Sequence, residues 1–206
     1  MQAHEYSVVG HSRAVLGRWL FMLASVIAAA FTALGVVFAD LARTLDLPDG
    51  ASTWVIAPIG AAGVFSVMYF VFSKWGWRLL CVFGAFPRIG GRWACSGRTL
   101  ADDGSELFLW DGTIFISQDW ERIRVHLTAK DSGSFSVSAS LLPEGDGRWL
   151  LMYSYRNEPR QGAAELNAHV GYCELHFCRD GKHAEGDYFT ARGRRTAGRV
   201  ALTKME

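Results

Sequence analysis

The sequence predicts two N-terminal transmembrane α-helices followed by an antiparallel, roughly eight-stranded β-barrel. Three observations carry that prediction. Two long stretches near the N-terminus contain no charged residue, a basic cluster stands where the second of them ends, and from Ile89 onward short strand-like runs alternate with turn signals.

From Trp19 to Ala39, and again from Gly50 to Ser73, there is no Asp, Glu, Lys or Arg. A helix needs about 20 apolar residues to cross a hydrocarbon core of about 30 Å, so each stretch is long enough. Expected spans are about 19–39 and 53–73, within an N-terminal region 1–88 that precedes a β-domain 89–206. The apolar run of a cleaved signal peptide is usually only about 7–15 residues, and here a second run follows the first. Neither run shows a polar stripe, as the helices of a soluble hairpin would.

Arg13 and Arg18 precede the first span, and Lys74, Arg78, Arg88 and Arg92 follow the second, whereas the connection between them has only Arg43. The positive-inside tendency places both termini and the β-domain in the cytoplasm, with Trp75 and Trp77 expected in the headgroup zone. Ala24 with Ala28, Ala29 with Ala33 and Ala57 with Ala61 offer small residues four apart, which let helices approach closely in lipid.

The whole chain has 206 residues and a formal net charge of +1. From Arg88 onward 16 basic residues face 16 acidic ones, so the footprint for a DNA or RNA polymer is missing. Cys81, Cys95, Cys173 and Cys178 form no metal-binding spacing and read as reduced thiols, mostly small buried hydrophobes. Neither a metal nor a resident cofactor is expected.

The β-domain contains "RWACSGR", "ELFLW", "TIFISQDW", "RIRVHLTA", "SFSVSASLL", "RWLLMYSYR", "HVGYCELHFC", "GDYFTARG" and "GRVALTK". Between them lie Asp-Gly and related pairs that supply the positive φ angles hairpins need. Short hairpins throughout favour an up-and-down barrel, which closes its own edges and has room for packed side chains or one small ligand. "ELFLWDG" leaves open whether the region before Thr113 forms one strand or two.

Several strands carry unusual second faces. In "RIRVHLTA" the apolar Ile123, Val125, Leu127 and Ala129 oppose Arg122, Arg124, His126 and Thr128, and in "SFSVSAS" the apolar Phe135, Val137 and Ala139 oppose Ser134, Ser136, Ser138 and Ser140. Alternating serines add little packing area, so they suit the close approach of another group. If the parity is reversed, the Arg and Ser face solvent.

Tyr153, Tyr155 and Asn157 share one strand face. Tyr offers a stacking surface, and Asn pairs with a base edge that has a donor and an acceptor; the alternative is two core tyrosines and a turn Asn. His169 with Gly171 marks either a structural His or a close backbone approach. Arg192 aligns with Tyr188 and Thr190 on one strand face, where its fork could bond phosphate oxygens; neighbouring Arg194, Arg195 and Arg199 read as solvated or lipid-facing. No nucleophile stands in a recognisable catalytic motif, which disfavours an enzyme.

Two spans, a basic juncture, and then Gln118 with Trp120, the serine ladder, Tyr153-x-Tyr155-x-Asn157-x-Pro159, His169-x-Gly171 and Gly186 to Arg192 occur in an order and spacing that resembles a known family. It is similar to the two-transmembrane, β-strand-rich effectors of bacterial cyclic-oligonucleotide anti-phage signalling (CBASS), the CD-NTase-associated protein fifteen family. The resemblance implies a cytosolic barrel that receives a cyclic dinucleotide from a partner nucleotidyltransferase. It further implies ligand-induced self-association, disruption of the inner membrane, and death or arrest of the infected cell. On this combined reading the ligand-binding set is Gln118, Trp120, Arg124, Ser136, Ser138, Tyr153, Tyr155, Asn157, His169, Tyr188, Thr190 and Arg192. A membrane-tethered carrier of a lipid or other small apolar ligand is the alternative, and a constitutive two-span channel is a further rival.

Overall fold

The computed structural model describes residues 3–10, 12–45, 61–84, 86–101, 103–130, 132–159, 169–191 and 196–205. The first part of the second expected span, residues 53–60, lies outside the described residues, as do Ala57 and the arginines 192, 194 and 195. The chain divides into two compact units, one formed by Met1–Gly10 with Arg78–Glu206 and the other by His11–Trp77.

In the second unit, helix α1 (Arg13–Thr44) begins at Ser12, whose side chain accepts a hydrogen bond from the Val15 N–H. Among the described residues it is the one helix long and apolar enough to cross a membrane, over Arg13–Leu41. Its Ser25 hydroxyl bonds back to the Phe21 carbonyl at 2.9 Å and its Thr32 hydroxyl to the Ala28 carbonyl at 3.0 Å, so neither hydroxyl is an unpaired donor towards lipid. Helix α2 (Ala61–Val71) continues through a π-helical turn (Phe72–Gly76) into α3 (Trp77–Val82).

The two helices α1 and α2 meet, with Phe21 edge-on to Phe65 at 6.0 Å. Ala24 and Ala28 are buried, and Gly35 and Ala39 continue the same small-residue stripe, whereas Ala29 and Ala33 are exposed. Trp75 is exposed, whereas Trp77 is packed against protein and 3% exposed.

Eight strands of the first unit form a closed antiparallel barrel: β3 (Gly91–Leu100), β4 (Glu106–Gln118), β5 (Arg122–Ala129), β6 (Ser132–Gly145), β7 (Arg148–Pro159), β8 (His169–Phe177), β9 (His183–Ala191) and β10 (Ala197–Lys204). Each pairs with its neighbours in sequence, β10 returns to β3, and the β5–β6 pairing closes the ring. The two runs before Gln118 form the single strand β4, whose register against β3 shifts near Thr99 and Leu100. Alternation on β5 resolves as a half-buried strand should: Ile123 and Val125 are buried inside, and Arg122 and Thr128 are exposed outside.

One end of the barrel is packed solid. Trp93, Ile116, Ile123, Leu141, Leu151, Leu175 and Leu202 are almost fully buried there, with Phe177 edge-on to Trp93 at 5.2 Å. Phe86 reaches in from the preceding segment to meet Trp120 at 5.3 Å and Trp149 at 6.3 Å. Aromatic rings close this end, so no through-channel is expected along the barrel axis.

The serine ladder of β6 is divided by a β-bulge. Register against β7 runs Ser134 with Asn157 and Ser136 with Tyr155, then shifts between Ser136 and Ser138, so that Ser138 faces Ser154 and Ala139 faces Tyr153. The extra residue, Val137, exchanges the two faces. Ser134 and Ser136 are buried, while Ser138 is exposed and its Oγ lies 2.6 Å from the Ser154 Oγ.

A short N-terminal segment completes the wall. Strand β1 (His4–Glu5) pairs antiparallel with β5, and β2 (Ser7–Val8) pairs parallel with β6. Tyr6 between them is 3% exposed and donates from its hydroxyl to the Asp119 carbonyl at 3.0 Å.

Candidate ligand-binding site

The other end of the barrel holds a cavity of about 570 Å³, within the about 300–1,000 Å³ usual for small-molecule sites. The strand registers set its walls in rows. Ser134, Asn157 and His169 are successive cross-strand partners on β6, β7 and β8 at one level; Tyr155, Gly171 and Thr190 follow, then Tyr153, Cys173 and Tyr188. Trp110 and Thr99 line the opposite wall, and Asp111 and Lys130 also contribute to the lining.

Three aromatic side chains lie flat on glycines of the neighbouring strand. Trp110 is the direct partner of Gly97, Tyr155 of Gly171 and Tyr188 of Gly198, and a Cβ at any of the three glycines would overlap the facing ring. Absence of a side chain on one strand therefore lets the ring of the next fold against the wall, which leaves the lumen open. Tyr188 is held further by its hydroxyl, which accepts from Trp110 Nε1 at 3.1 Å and lies 2.7 Å from Thr99 Oγ1.

The cavity wall divides into satisfied and unsatisfied polar groups. Thr190 is bonded to Thr196, Oγ1 to Oγ1, at 3.0 Å. Asn157 and Ser134, both 6% exposed, form no side-chain hydrogen bond among the described residues, yet both line the cavity. An amide and a hydroxyl that line the cavity in this way can bond a molecule placed there.

Towards the cavity floor the groups are neutral. Burial pushes the Cys95 and Cys173 thiols up to about 12 and raises the Tyr153 phenol well above its ordinary range. The lining combines aromatic planes, an amide, hydroxyls, the cation Lys130, the carboxylate of Asp111 and apolar side chains such as Ile114 and Val200. Such a wall can stack on a planar molecule and bond its polar edges. No cluster of three metal-ligating side chains occurs among the described residues.

Of the sequence-derived set, the fold brings Tyr153, Tyr155, Asn157, His169, Tyr188 and Thr190 to this cavity. It takes others elsewhere. Gln118 latches the closed end, accepting from the Ile89 and Gly90 N–H groups at 3.0 and 3.2 Å and donating to the Pro87 carbonyl at 3.2 Å. Trp120 packs on Phe86 in that same end. Arg124 alternates with the inward Ile123 and Val125 and so belongs to the outer face, where its charge, after burial, lowers the pKa of His126.

Ser136 points inward but lies behind the cavity wall, accepting from the Val125 N–H at 2.9 Å, and Ser138 is turned outside by the bulge. These five residues are therefore not among those lining this cavity and stand instead at the seam, the closed end or the outer surface. Arg192 falls outside the described residues.

Sequence reasoning missed Trp110, Thr99, Asp111, Lys130 and Ser132. The available signal was glycine: Gly97, Gly171 and Gly198 each sit in a strand interior, where a missing side chain marks close approach.

Comparison with known proteins agrees with this architecture. Residues 84–204 match the family described as "Cap15, cyclic dinucleotide receptor domain", and residues 14–78 match "Cap15, TM helices". CD-NTase-associated protein 15 of Yersinia aleksiciae is 33% identical over 213 residues, covering 100% of this chain and 99% of that protein.

Proposed function

Because this chain belongs to the Cap15 family, we propose that it is a membrane effector of anti-phage defence whose barrel binds a cyclic dinucleotide in the open-end cavity. A partner nucleotidyltransferase supplies the ligand. Binding drives self-association in the bacterial inner membrane, with both termini in the cytoplasm and two spans anchoring the barrel, and the assembly disrupts that membrane.

One observation carries the ligand assignment: Asn157 and Ser134 stand side by side, buried and without protein partners among the described residues, beside the planes of Tyr155 and Tyr153. An Asn amide presents one donor edge and one acceptor edge, as a nucleobase does, and aromatic faces stack on bases. Lys130 and Arg192 are the cations assigned to the phosphates.

Assembly requires that ligand bind the associated state better than the dispersed one. Confinement in a bilayer raises the local concentration of barrels and lowers the differential affinity required.

The test is calorimetric titration of the detergent-solubilised full chain with a panel of cyclic dinucleotides, joined to dye leakage from vesicles that contain it. Saturable binding of one panel member, with leakage at matching concentrations, is expected. A folded protein that binds none of them overturns this reading in favour of the apolar-ligand carrier.

A further inference from the structure

The seam between β5 and β6 is forked. These strands pair directly only from His126–Phe135 to Thr128–Gly133. Beyond that point β5 pairs with β1 through Ile123 and Arg122, and β6 pairs with β2 through Ser140 and Leu141. The vertex is Ser136, whose Oγ accepts from the Val125 N–H and lies 2.7 Å from His4 Nε2. Around it, the Ser7 and Ser140 hydroxyls lie 2.7 Å apart and the Val9 N–H donates to the Leu141 carbonyl at 2.9 Å.

The segment filling this fork belongs to the barrel's compact unit, although the whole unit His11–Trp77 separates it from the barrel in sequence. It leaves the seam through Gly10, which has φ +85° and open space around it, a hinge that side-chain-bearing residues rarely adopt. An edge that accepts a segment of its own chain accepts the same segment of an identical neighbour, and a hinge next to it is the usual requirement for such exchange. Cavity and fork share a wall, because Ser136 is the cross-strand partner of Tyr155 and lies two residues from Ser134.

We propose that the forked seam is a self-association surface whose partner is a second copy of this chain. Residues 4–9 of one copy dock between β5 and β6 of the next, with Tyr6 as anchor, and cavity occupancy at Tyr155 and Ser134 promotes the exchange through Ser136. This rests on the cyclic dinucleotide reading for its trigger, but the strand exchange itself does not.

Two full-length variants, Ser7→Cys and Ser140→Cys, are built with Cys178→Ser and Cys81→Ser and reconstituted together in vesicles. After oxidation, a covalent heterodimer is expected on non-reducing gels, at least several-fold more abundant when the activating cyclic dinucleotide is present. The Ser7→Cys/Ser140→Cys double variant, oxidised while dispersed and before assembly, should close within one chain, bind nucleotide normally and lose leakage activity until reduced.

Ligand-induced assembly without the heterodimer, or full activity of the pre-closed double variant, overturns the exchange and leaves the ligand assignment standing. If no nucleotide binds, the ligand assignment fails, and the heterodimer yield at high protein density without ligand decides the exchange alone: none formed overturns it.

Discussion

Trp110 lies flat over Gly97, its direct cross-strand partner, and the three atoms nearest to a Cβ built at Gly97 all belong to the indole ring. The same relation joins Tyr155 to Gly171 and Tyr188 to Gly198. Glycine–aromatic pairing is thus how this barrel keeps large rings without filling its lumen. Packed rings occupy one end, and folded-back rings line the other.

Gly97→Ala is expected to push the indole off the wall, separating Trp110 Nε1 from the Tyr188 hydroxyl. Overpacking of this kind costs about 1–3 kcal/mol. Thermal unfolding of Gly97→Ala, Trp110→Ala and the double variant should show coupling, with the alanine at 97 far less harmful once the ring is gone. Equal cost in both backgrounds would mean that the ring does not rest on Gly97.

Tyr155→Ala is expected to weaken nucleotide binding by about 1–3 kcal/mol, the range for loss of one base-stacking ring, or roughly five- to 150-fold. Membrane insertion should be unchanged. Tyr155→Phe keeps the plane and should retain most of the affinity if stacking is what the ring supplies; the hydroxyl it removes donates to the Phe189 carbonyl at 3.5 Å. Titration calorimetry on both variants separates stacking from hydrogen bonding.

Lys130 is exposed at the cavity rim. Lys130→Gln should weaken binding only a few-fold, in keeping with the about 0.2–1 kcal/mol of an exposed ion pair, and should flatten the dependence of affinity on salt. An unchanged salt slope would remove Lys130 from the phosphate contacts.

Cysteine chemistry should follow burial. Cys178 is exposed, whereas Cys95 and Cys173 are buried and their thiols are pushed from an ordinary 9.0 up to about 12. A thiol reagent applied to the folded barrel should therefore label Cys178 and spare the other two. Linkage gives the pH dependence. Between 9.0 and about 12 the unfolded chain has released thiol protons that the folded barrel retains, so stability present below 9.0 is lost as pH rises through that window. Thermal midpoints of wild type should fall with alkaline pH more steeply than those of a Cys95→Ser/Cys173→Ser variant.

Much of this architecture was legible locally. Charge-free runs marked apolar segments, glycine-bearing turns punctuated the strands, and alternation on β5 identified Ile123 and Val125 as a buried set. Tyr153, Tyr155 and Asn157 share one face by period alone, and the fold turns that face to the cavity. The N-terminal strands β1 and β2 were not legible, since two-residue pairings carry no periodic signal.

By itself, then, the sequence determined which residues share a strand and which alternate on its faces, because the two-residue period is a property of extended backbone. Tertiary structure alone decided which face points inward and how far along the axis each residue stands. Ser134 and Ser138 look equivalent in an alternating run, yet the bulge at Val137 puts one beside the cavity and the other outside. Gln118 and Tyr155 both point inward, but only the second reaches the open end, because height in the barrel is set by pairing with strands distant in sequence.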